Sequence, residues 1–120
     1  MGEMSSLLSD GTYEKLMDHV TSINVACGGH AGDEDMMVDM VFMANKKAVN
    51  VGAHPSYPDK ENFGRIDIHM NTNELLDTVR KQIQLLVDIS ADNGVTLSHV
   101  KPHGALYNRA VIDEDIAKTI

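Results

Sequence analysis

"VNVGAHPSYPD", residues 49–59, decides how the chain is built. Val49, Val51 and Ala53 alternate with Asn50, Gly52 and His54, and every second side chain of a β-strand shares a face. One face is apolar, the other small or polar, and a histidine closes the run. Reading outward, two more runs take the same form. In TSINVAC (21–27), Ile23, Val25 and Cys27 oppose Asn24, Ala26 and Gly28. In TLSHV (96–100) and its continuation, Val100 and Pro102 share one face while His99, Lys101 and His103 share the other.

Helical periods fill the gaps. In DEDMMVDMVFMANKKA (33–48), Met36, Met37, Met40, Val41, Met43 and Ala44 recur at helical spacing, with Asp33 as N-cap and Glu34 and Asp35 in the first turn. In NTNELLDTVRKQIQLLVDISADNG (71–94), the stripe is Leu75, Leu76, Val79, Ile83, Leu86 and Val87. Asn71 and Glu74 form a capping box, and Gly94 stands at the C′ position. Residues 12–20 also read as helical, and 112–120 open a further helix. Strand, helix, strand, helix, strand predicts βαβ units, a parallel sheet and an α/β fold in a single domain over 1–120. A parallel sheet covered by helices on both sides is apolar on both faces. A small or polar second face suits a barrel wall that borders a pocket.

Each run delivers a histidine at or just past its C-terminal end: His30 in CGGHAGD, His54 in GAHPSYPD, His103 in KPHGALYN. Parallel strands end at one edge of the sheet, where α/β folds build their sites. A lone strand-end histidine is usually a structural residue. Three in equivalent places, each near glycine (Gly28, Gly29, Gly32, Gly52, Gly104), read as a site with Lys101 beside it. The segment from His54 to Asn71 is long for a βα loop and carries Pro55, Tyr57, Pro58, Phe63, Gly64 and Arg65, as an ordered loop over a pocket would. Arg65 is its one cation able to grip a carboxylate in bidentate fashion. His19 and His69 read as surface residues and Cys27 as core. CGGHAGD makes a poor phosphate cradle, since it has no lysine and three acids follow it.

The formal net charge of −8 over 120 residues argues against a nucleic-acid partner. A single cysteine permits no internal disulfide and fits a reducing cytoplasm. No run has the ~18 apolar residues that a membrane crossing needs.

Three ordered motifs, NVACGGHAGD (24–33), VGAHPSYPD with NFGR downstream (51–65) and SHVKPHGALYN (98–108), resemble the LamB/YcsF family, which includes the A component of bacterial 5-oxoprolinase. Met1-Gly2-Glu3 resembles the end of that family's first strand motif. The resemblance implies a partial (β/α) barrel of the glycoside hydrolase/deacetylase-like type. It also implies ATP-dependent opening of the 5-oxoproline lactam to L-glutamate in a complex with subunits B and C. Carried over by motif, His30, His54, Lys101 and His103 are the catalytic candidates, and Glu3, Asn24, Arg65 and Tyr107 would bind substrate. His30 and His54 are candidates for a divalent metal, and ATP is the co-substrate. Family members are about twice as long, as a full barrel requires, so the chain is expected to be a fragment. Its open sheet edges would call for a partner or a second copy in a homo-oligomer. Two alternatives remain: a non-catalytic remnant or scaffold piece, and a metal-dependent deacetylase of small amides or sugars, active without ATP.

Overall fold

The computed structural model describes residues 1–120. Strands β1 (Ser22–Ala26), β2 (Asn50–His54) and β3 (His99–Val100) form one parallel sheet in the order β1-β2-β3. Helices α1 (Ser5–Ser9) and α2 (Thr12–Met17) precede β1, α3 (Glu34–Lys46) joins β1 to β2, and α4 (Thr72–Asp92) joins β2 to β3. Helices α5 (Gly104–Ile112) and α6 (Glu114–Thr119) follow. This is the expected α/β class. Residues 1–3 run beside β1, with the Ala26 N–H donating to the Met1 carbonyl at 2.9 Å. Glu3 thereby reaches the edge where the strands end.

The caps form as the sequence predicts. The Asp33 carboxylate accepts the Met36 N–H at 2.9 Å, and Asn71 and Glu74 close a reciprocal capping box on α4. Each cap satisfies N–H groups that a helix start leaves orphaned. Ile23, Val25, Cys27, Val51 and Ala53 face Met37, Met40, Val41 and Ala44 of α3 and Leu86 and Ile89 of α4 in one buried cluster. A smaller cluster, Tyr57, Leu75, Val79, Ala105 and Leu106, ties the β2–α4 loop and α4 to α5.

Several expectations are corrected. The buried line of α4 runs through Leu75, Val79, Gln82, Leu86 and Ile89, while Val87 is 37% exposed. The third strand is two residues long rather than five. Beyond it only the Lys101 and His103 N–H groups reach the Ala53 and Pro55 carbonyls, both at 2.8 Å, and Pro102 between them has no N–H to give. The apolar face expected to lie under a helix is open there, since Val100, Tyr107, Val111 and Ile112 are all exposed. The stretch 112–120 is interrupted at Asp113, whose carboxylate accepts the Asp115 and Ile116 N–H groups to start α6. No helix is long and apolar enough to cross a membrane.

Candidate active site

His30, His54 and His103 meet at the C-terminal edge of the sheet, buried at 1%, 9% and 9% exposure. His30 follows β1, His54 ends β2, and His103 is the N-cap of α5. The His30 and His103 rings stack at 3.7 Å and 8°, and His54 meets both edge-on at 5.5 and 4.9 Å. Phe63 closes the group, its ring edge-on to His30 at 5.1 Å and to His103 at 5.3 Å.

Hydrogen bonding fixes most of the proton positions, because a carbonyl or an ionised carboxylate only accepts. His54 Nδ1 donates to the Lys101 main-chain carbonyl. His103 Nε2 donates to the Phe63 carbonyl at 2.9 Å. His30 Nε2 donates to Glu3 Oε1 at 3.0 Å. That bond leads the causes holding the Glu3 carboxyl down at about 2, against burial that pushes it up. Each ring thus commits one nitrogen to an acceptor. Of the remaining three, His54 Nε2 and His103 Nδ1 face each other at 3.0 Å, and His30 Nδ1 is buried without a partner. Two neutral rings would oppose lone pair to lone pair across that 3.0 Å gap, so the gap calls for a proton or another cation. Burial is the main cause that lowers His54, to about 4, and it lowers His103 as well. The pair is a poor holder of protons. Glu3, His30, His54 and His103 offer one metal-binding atom each, all within 4.8 Å of one another.

The other sequence candidates surround this cluster without joining it. Lys101 contacts His54 through its carbonyl, whereas its exposed Nζ lies 5.1 Å from the centre of the Tyr107 ring. Exposed Arg65 lies with Cζ 5.1 Å over Phe63, one ring away from the histidines. Asn24 Oδ1 meets His99 Nε2 at 2.8 Å. Asn24, Gly52 and His99 are neighbours in register across the three strands, and the His99 ring reaches back over Gly52 to make that bond. A Cβ on Gly52 would collide with the ring. The sheet's small, polar face is thus occupied by a side chain of the same chain. His19 and His69 are exposed, and Cys27 is buried in the core with its thiol pushed up to about 11 by burial.

Two contributors escaped the sequence reading. Phe63 adopts φ +56°, which side-chain-bearing residues rarely adopt, and this accompanies the placing of its carbonyl on His103. Gly64 follows at φ +62°, where a Cβ would lie 2.9 Å from His30 Cβ. A main-chain acceptor leaves no mark in a sequence. Gln82, buried in the apolar line of α4, grips Ser56 twice: Oε1 accepts its N–H at 3.0 Å and Nε2 donates to its carbonyl at 2.8 Å. Gly29 packs so closely on this clamp that a Cβ there would lie 2.5 Å from Gln82 Oε1. The loops carrying His30 and His54 therefore share one anchor. The only sequence signal was a polar residue in an apolar stripe.

No cavity is lined by the histidines. The pocket expected over them is filled by their own stacking and by Phe63, and a groove of about 470 Å³ lies elsewhere, among Cys27–Glu34, Pro58, Lys60 and the face of α4 around Thr78–Leu85.

The LamB/YcsF family model matches residues 1–120. The chain belongs to the LamB/YcsF family. It is 42% identical over 120 residues to the 5-oxoprolinase A subunit of Natranaerobius thermophilus, covering 100% of this chain and 47% of that protein. It is 46% identical over 107 residues to the 5-oxoprolinase A subunit of Haemophilus influenzae, covering 89% of this chain and 44% of the relative. The crystal structure of a lactam utilization protein from Thermus thermophilus superposes with a TM-score of 0.88 at 38% identity, covering 90% of this chain and 44% of that one. The chain thus spans about half the length of the curated relatives it matches. As a LamB/YcsF chain it is grouped with proteins named for lactam and 5-oxoproline utilization, and the histidine cluster is built from the three motifs by which the family is recognised.

Proposed function

We propose that this chain is part of a 5-oxoprolinase-type cyclic amide hydrolase, which opens the 5-oxoproline lactam to L-glutamate with ATP, in the cytoplasm, together with partner subunits B and C. The observation that carries this reading is the gathering of His30, His54 and His103 with Glu3 at one sheet edge, in a family whose relatives bear that name. Residues 1–120 are read as a single domain and as one part of a (β/α) barrel wall.

A lactam carbonyl resists attack, and phosphorylation of its oxygen by ATP would make the ring carbon electrophilic. Water would then add at that carbon, giving its proton to a histidine. The C–N bond breaks as the nitrogen takes up a proton, and a second water releases phosphate. Poorly protonated, buried His54 and His103 suit the base role. Lys101 is read as the cation that meets developing negative charge, and Arg65 as the grip on the substrate carboxylate. Tyr107 carries Lys101, Glu3 orients His30, and Asn24 acts through His99. The test is 5-oxoproline turnover by the chain co-expressed with its partner subunits, with and without ATP. ATP-dependent glutamate release that His103→Ala abolishes is the expected result. Turnover of acetylated amides or sugars without ATP would favour a deacetylase instead. Inactivity under every condition would mark a scaffold piece.

A further inference from the structure

From the unspent nitrogens of the cluster we infer a site for one divalent transition-metal ion of the zinc or cobalt class. Its ligands are His54 Nε2, His103 Nδ1 and His30 Nδ1, with Glu3 beside them. The inference deepens the hydrolase reading of the same site, and it rests on the arrangement of acceptors around the rings. All three imidazoles are fixed in tautomer from outside, by the Lys101 carbonyl, the Phe63 carbonyl and the Glu3 carboxylate. An outer acceptor on one nitrogen, with the other left as a free donor, is how proteins prepare histidine for a metal. The His54 Nε2 to His103 Nδ1 separation is 3.0 Å. Two nitrogens bound at ~2.1 Å to one ion stand ~3.0 Å apart at a right angle and ~3.4 Å apart at the tetrahedral angle. The gap already has the span of two adjacent ligands.

Charge points the same way. Burial works against a proton on either ring of the pair, whereas neutral imidazole is the form that binds metal. Glu3 stays ionised and brings a negative charge to the cluster. Imidazole nitrogens select zinc, cobalt, nickel or copper over magnesium and calcium, which prefer oxygen. The sequence motifs pair His30 with His54 as metal ligands. The geometry instead puts the closest pair of free nitrogens on His54 and His103, with His30 third.

The test is titration of the chelator-stripped chain with Co²⁺, followed by calorimetry and by visible absorption. The expected result is one ion per chain and a ligand-field band. His54→Gln and His103→Gln should each weaken binding at least as far as the ~10–100-fold typical of losing an outer-shell partner. His99→Gln and His19→Gln should leave it unchanged. Circular dichroism confirms that each variant is folded, and Zn²⁺ displacement of bound Co²⁺ gives a second readout if a variant is unstable. Absence of the band, or equal binding by wild type and both cluster variants, overturns the inference. Substrate, ATP and partners are not needed, so a chain that binds metal yet turns over no lactam sinks the functional reading alone.

Discussion

The two sides of the sheet are built to different standards. β1 and β2 pair over five residues each, and their helix-facing side chains Ile23, Val25, Val51 and Ala53 are buried against α3 and α4. β3 pairs over two residues, and its in-register Val100 is exposed beside Tyr107, Val111 and Ile112. Yet the site draws on both sides, His30 and His54 from the first and His103 from the second. The difference teaches that one ligand-bearing residue is held less by sheet pairing than by local bonds. Those are its N–H to the Pro55 carbonyl, its Nε2 to Phe63 and its stacking on His30.

The largest expected effect tests this contrast directly. Leu86→Ala, at a fully buried position, should cost about 2–5 kcal/mol in urea unfolding, as large-to-small core changes do. Val111→Ala, 72% exposed, should change stability by no more than ~0.5 kcal/mol. Similar losses at both positions would erase the distinction between the two sides.

Next comes the clamp. Gln82→Leu leaves the Ser56 N–H and carbonyl without their partner, a loss of about 1–3 kcal/mol for each buried group left unsatisfied. Amide exchange should quicken in the loop after His54 more than in α5. Uniform quickening would mean that Gln82 serves the whole core and not the loop.

A pH effect of smaller size follows from Cys27. Its thiol is raised by burial from 9.0 to about 11 in the folded chain, so the unfolded state loses its proton first. Stability from this residue is complete below pH 9 and falls as pH rises towards 11, by on the order of 2 kcal/mol. Thermal melts of the wild type and Cys27→Ala across that range should converge at the alkaline end. Parallel curves would contradict it. The smallest effect belongs to the exposed pair Lys118–Glu114 on α6, where Lys118→Ala should cost no more than ~0.5 kcal/mol.

Much of the first side was legible because its signals are local. Alternation in 49–54, the Asp33 cap and the Asn71–Glu74 box each depend on neighbours a few residues away. The histidines were legible because three strand ends of a parallel sheet must share an edge. What stayed hidden depends on distant partners. Helix α5 went unread because GALYNRAVI opens on glycine and leaves Val111 and Ile112 outside any buried stripe. The exposure of Lys101 could not be read from strand parity, and neither could the Phe63 and Lys101 carbonyls that set the imidazole tautomers.

The apolar margin along β3 and α5 also shapes how the chain behaves in bulk solution. An open, short strand edge flanked by bare aliphatic groups invites self-association, and the charge of −8 is what holds copies apart. Salt shortens the reach of that repulsion from about 30 Å at 0.01 M to about 8 Å at 0.15 M. Colloidal stability should therefore be greatest in dilute buffer and decline as electrolyte is added, the reverse of salting-in.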